Sequence, residues 1–136
     1  MGKKVVLDTN VLISAIGWNA KPEECLELVF EGEVDAYATQ SMIDEVSKVL
    51  EYDKFDFSEK EKQKFLEILV SEFHFVESEE NIEESQDSDD NKFLECAITA
   101  DADYIISGDS DLLELKEYEN ITIIKPEKFL ELRGQK

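Results

Sequence analysis

The chain has 136 residues, 42% of them hydrophobic, and 34 acidic against 14 basic side chains give it a net charge of −20. That length suits one globular domain burying roughly two-thirds of the surface of its unfolded form, with no apolar run near the ~20 residues of a membrane span. Because neutralised phosphates supply most of the affinity of an ordinary basic nucleic-acid groove, either nucleic acid is not a partner or metal ions and a local lysine cluster supply the positive charge.

The start, MGKKVVLDTN, holds too short an apolar stretch for a signal peptide, so a cytoplasmic protein is expected. Val5–Leu7 is continuously apolar and reads as a fully buried first strand. A short helix is expected over Val11–Gly17. Pro22 then stands at a plausible first helical position for Glu23–Glu31, which Gly32 ends. Val34–Ala38 reads as the second strand. Ser41–Glu51 reads as a helix capped by Ser41, with Asp44 completing an approximate capping box. Ser58 and Glu61 form a better box, opening a helix that runs to about Glu72. Phe73–Val76 is a short third strand, and Glu77–Asp90 (ESEENIEESQDSDD) is an acidic stretch of loop character. A helix over Asp90–Ala100, strands at Tyr104–Ser107 and Ile121–Ile124, and a last helix opened by Pro126 complete the chain. Strands alternating with helices predict parallel pairing in an α/β sandwich. Cys25 and Cys96 fall in helical, largely apolar patterns and read as buried free thiols.

Acidic residues recur where the ends of such strands would meet. Asp8 directly follows the first strand, and Asp109 and Asp111 follow the fourth through Ser107 and Gly108. In an open parallel sheet those positions lie at the crevice beyond the strands' carboxyl ends. Glu45 sits in mid-helix at the edge of the stripe formed by Met42, Ile43, Val46, Val49 and Leu50. Asp90 precedes the buried face of Phe93, Leu94, Ala97 and Ile98, although its neighbour Asp89 is chemically equivalent. Each aspartate has a plainer reading as a helix cap or turn residue. Converging carboxylates would repel one another unless a divalent cation lay among them, which makes the set a candidate metal site. Rival motifs fail: no P-loop and no GxGxxG are present, and the segment from Asp87 has Lys92 where a calcium loop needs glycine. His74, the only histidine, reads as structural.

With VVLDTNVLISA at the start, DEV in the third helix, DSDDNKFLECA before the fourth strand and ADYIISGDSDLL across it, the chain resembles the PIN-domain family of metal-dependent ribonucleases. Within that family it is most similar to small prokaryotic toxin components of toxin–antitoxin systems, the VapC-type toxins. The resemblance implies one PIN-like domain over residues 1–136, an α/β/α sandwich around a five-stranded parallel sheet in the order 3-2-1-4-5. It implies a catalytic, metal-binding set of Asp8, Glu45, Asp90 and Asp109, with Asp111 auxiliary and with Thr9, Asn10 and Ser107 orienting the carboxylates. It further implies one or two Mg²⁺ or Mn²⁺ ions, an RNA substrate cut to a 5′-phosphate and a 3′-hydroxyl, an antitoxin partner, a homodimer and no membrane. The alternative is a PIN-like module kept for protein contacts without catalysis. Phosphatase and receiver domains also cluster aspartates at strand ends. However, Asn10 stands where the former needs a second aspartate, and His74–Glu77 lacks the latter's phosphoacceptor.

Overall fold

Val5, Val6 and Leu7 carry no polar side-chain atom and are at most 1% exposed, so β1 (Lys3–Leu7) runs through the middle of the molecule. The structure, a computed structural model, describes residues 3–16, 20–52, 55–77 and 91–134. In chain order β1 is followed by α1 (Thr9–Ile16), α2 (Ala20–Phe30), β2 (Val34–Ala38), α3 (Gln40–Leu50), α4 (Glu59–Glu72) and β3 (His74–Phe75). Then come α5 (Asn91–Ala100), β4 (Tyr104–Ile106), α6 (Ser110–Leu115), β5 (Glu117–Tyr118), β6 (Ile121–Ile124) and α7 (Pro126–Gly134).

The strands form one sheet in the order β3-β2-β1-β4-β6-β5, parallel throughout except for β5 against β6. Its five parallel strands follow the expected 3-2-1-4-5 order. The sixth corrects the expected count of five. Glu119 and Asn120 both adopt positive φ, 50° and 71°, and turn β5 back onto β6 in a two-residue hairpin with Tyr118 opposite Ile121. Two positive-φ central residues suit the right-handed twist of the flanking strands. An Asn-Gly or Asp-Gly pair would have announced such a turn, whereas Glu-Asn did not.

Helices flank the sheet: α5 packs on β1, β2 and β4, α2 on β2, and α7 on α2. Gly32, at φ 78°, closes α2, with its N–H donating to Val29 and that of Glu33 to Leu28, an ending that favours glycine. The cap of α3 is Thr39, not Ser41: Thr39 directly follows β2 in extended conformation and its hydroxyl accepts from the Met42 N–H at 3.4 Å. The Ser58–Glu61 box forms in both directions, at 2.8 and 3.1 Å. Buried aliphatic and aromatic side chains from all three layers join one core. Cys25 and Cys96 lie in it as free thiols, and burial pushes both up to about 12. Among the described residues no helix is long and apolar enough to cross a membrane.

Candidate active site

Parallel strands end together, and here their carboxyl ends bring polar side chains to one edge. Leu7 pairs with Ile106 and Ile106 with Ile124, so the next residues, Asp8, Ser107 and Lys125, stand side by side. Asp8 is 2% exposed and Ser107 is fully buried.

Asp8 has two roles at once. Its Oδ1 accepts from the Val11 N–H at 2.8 Å and its carbonyl accepts from Leu12 at 3.1 Å, which starts α1. Its Oδ2 accepts a short hydrogen bond from the Ser107 hydroxyl. Burial pushes its pKa up from 3.8 to about 6 and the Asp109 charge adds to the rise, although the Ser107 hydroxyl and the Val11 and Gly108 backbones oppose it. Asp109 is joined to Asp8 through Ser107, whose Oγ accepts from the Asp109 N–H at 2.9 Å. The Asp109 carboxylate in turn accepts from the Leu112 N–H at 3.1 Å and caps α6. The capping and site readings of these two aspartates therefore coincide: the cap geometry fixes where the carboxylate sits.

Glu45 comes from α3, which packs on α1 and α5. Its Oε1 accepts a short hydrogen bond from the Thr9 hydroxyl. Its Oε2 pairs with the Lys92 ammonium of α5 at 3.2 Å, with the two side chains only 28% and 19% exposed. Lys92 neutralises Glu45 directly, a pairing absent from the reading of the sequence. Forty-seven positions separate the two, so no local pattern could have shown the pair.

Asp111 lies half-buried in the first turn of α6. Asn10 is exposed on α1 and lines a depression with Gly108 and Lys125. Asp89 and Asp90 lie outside the described residues. Asp103 is a different kind of acid: at the opposite end of β4, its carboxylate accepts from the Lys4 N–H at 2.9 Å and ties two strands together.

The donor set is carboxylate and hydroxyl oxygen, the chemistry that suits Mg²⁺ or Mn²⁺ rather than a thiolate- or imidazole-seeking metal. The Asp8 carboxylate is buried against hydroxyl and backbone donors, and its raised pKa marks a charge that a hard cation would offset. Among the described residues no three His, Cys, Asp or Glu side chains close to metal-holding range.

The family profile of the PIN domain matches residues 4–111. The chain is also similar to an uncharacterized protein, MJ1680, of Methanocaldococcus jannaschii. The two are 36% identical over 118 residues, covering 84% of this chain and 76% of that protein.

Proposed function

The chain belongs to the PIN-domain family, whose members are generally nucleases, and on that basis we propose that it is a divalent-metal-dependent endoribonuclease. The observation that carries the reading is Asp8. Its carboxylate is buried at the carboxyl end of the central strand and coupled through Ser107 to the position of Asp109. A bound Mg²⁺ or Mn²⁺ would offset the charge of these oxygens and activate water for in-line attack on a phosphodiester. Asp8, Glu45 and Asp109, with Asp90 and Asp111, are the residues that would hold it.

The protein's own groups do the orienting. Ser107 donates to Asp8 Oδ2 and accepts from the Asp109 backbone, so one hydroxyl sets both acids. Thr9 directs Glu45 Oε1, and Lys92 holds Oε2 and offsets one negative charge where a phosphate must approach. We propose further that it acts as the toxin of a toxin–antitoxin pair, a cytoplasmic homodimer neutralised by a protein partner. The test is hydrolysis of 5′-labelled single-stranded RNA in Mn²⁺ and in EDTA, expected to give metal-dependent fragments ending in 3′-hydroxyls.

A second reading draws on Glu45, both of whose oxygens already have partners in Thr9 and Lys92. A non-catalytic PIN-like binding module would keep that arrangement. It predicts no Mn²⁺-dependent change in either RNA integrity or melting temperature.

A further inference from the structure

Lys92, the second residue of α5, places its ammonium between two partners of different kinds. Glu45 Oε2 lies 3.2 Å from it and the centre of the Phe93 ring 5.6 Å. Both side chains of the ion pair are mostly buried. Thr9 holds the other oxygen of Glu45, so the carboxylate stays where it is when the lysine moves. A mostly buried charge that loses its partner is strongly destabilising. The ammonium therefore leaves Glu45 only when another cation takes its place, and the divalent ion proposed above is such a cation. Once away, the ammonium is itself a mostly buried charge without a carboxylate. The face of the Phe93 ring offers it an attraction weaker than an ion pair, so it still calls for an anion.

We infer that Lys92 is a phosphate-binding residue that Glu45 holds back until metal arrives. Without metal it neutralises Glu45. With metal on Glu45 it contacts the phosphate brought to that ion. The inference rests on the nuclease reading above and adds a regulation to it: metal entry makes the RNA-binding cation available. The ammonium already stands 3.2 Å from an oxygen that would hold the ion, so a phosphate there falls within the sweep of the flexible lysine stem. A point charge on such a stem suits the exchange, whereas a guanidinium would grip the carboxylate with two parallel hydrogen bonds. On a molecule of net charge −20 the exchange matters, because the overall field repels polyanions and a lysine paired with an acid does nothing against it. Coupling of this kind is reciprocal, so RNA must tighten metal binding by the factor by which metal tightens RNA binding. A lysine that merely tied α3 to α5 would contribute nothing to that coupling.

The experiment measures two affinities in wild type, Lys92→Gln and Lys92→Arg, with circular dichroism confirming the fold. Mn²⁺ binding is followed by calorimetry without RNA. Binding of a fluorescein-labelled single-stranded RNA is followed by anisotropy in saturating Ca²⁺, an ion for the same oxygen ligands, and in EDTA. Wild type should bind the RNA about ten-fold or more tightly in Ca²⁺ than in EDTA. Lys92→Gln should bind Mn²⁺ several-fold more tightly, yet lose RNA affinity in Ca²⁺ by about ten-fold. Lys92→Arg should keep the RNA affinity within about three-fold of wild type, because the charge remains. Opposite changes in the two affinities are the signature, since a merely structural lysine would lower both or neither. An RNA affinity in Ca²⁺ that Lys92→Gln leaves unchanged would overturn the inference. So would a wild-type RNA affinity equal in Ca²⁺ and EDTA, a result that needs no variant. Cleavage of RNA by wild type in Mn²⁺ reads the nuclease proposal separately: cleavage without these shifts removes the role of Lys92 and leaves the nuclease standing.

Discussion

Replacing Asp8 by asparagine should stabilise the protein, and by an amount that grows with pH. In the fold the Asp8 pKa is raised from 3.8 to about 6, chiefly by burial, so folding disfavours the ionised form. The sign follows from that direction: well below pH 4 the group is neutral in both states and costs nothing. Well above pH 6 it is charged in both states and carries the full cost. A rise of that size is worth about 3 kcal/mol, at about 1.4 kcal/mol for each tenfold change in proton affinity. Integrated over both titrations, the penalty is about 1 kcal/mol at pH 4.5 and about 3 kcal/mol at pH 7.5. Asparagine carries none of it. Its Oδ1 can keep the bond from the Val11 N–H while its amide donates to Ser107 Oγ, which must turn its own proton elsewhere. That rearrangement shifts stability by a constant, so it cancels between pH values. Urea unfolding followed by circular dichroism, in EDTA, should show the advantage of Asp8→Asn widening by about 2 kcal/mol from pH 4.5 to 7.5. A difference that stays flat across this range would refute the claim that Asp8 is held ionised against its burial.

Other perturbations follow from the same contacts. Lys92→Met removes the ammonium from Glu45; it should cost about 1–3 kcal/mol of stability in EDTA for a partly buried pair and raise Mn²⁺ affinity several-fold by calorimetry, since the ion no longer competes with a lysine. Unchanged Mn²⁺ affinity would show that Glu45 is not a ligand. Ser107→Ala leaves Asp8 Oδ2 and the Asp109 N–H without their shared partner; it should cost about 1–3 kcal/mol and move the pH-dependent loss of stability to higher pH, because that hydroxyl lowers the Asp8 pKa. Finally, the slope of log RNA affinity against log monovalent salt at fixed Mn²⁺ should be shallow, because few counterions are released when metal rather than a basic groove holds the strand. A slope corresponding to six or more neutralised phosphates would contradict this.

Features set by adjacent residues were legible in the sequence. The run Val5–Leu7 gave the buried central strand, Val34–Ala38 matched β2 residue for residue, and the Ser58–Glu61 box formed as its spacing implied. Asp8 and Asp109 were legible for the same reason, since a strand's end and the cap of the next helix are local properties. Where three polar residues stood together, Thr39, Gln40 and Ser41, composition could not say which one met the end of β2, and the cap fell on Thr39. The hairpin of β5 was hidden because its positive-φ residues are not glycine. The Thr9–Glu45–Lys92 chain joins three separate helices, and only the packing of α3 on α1 and α5 brings it together.

Metal-dependent cleavage of RNA at the buried acid that ends β1 is the function proposed for this protein. The decisive measurement is the initial rate of single-stranded RNA cleavage in Mn²⁺ by wild type and Asp8→Asn side by side, with circular dichroism confirming that both are folded. Wild type should cleave in a manner that EDTA abolishes, and the variant should show nothing above background. A folded Asp8→Asn protein that cuts RNA at the wild-type rate would contradict that proposal.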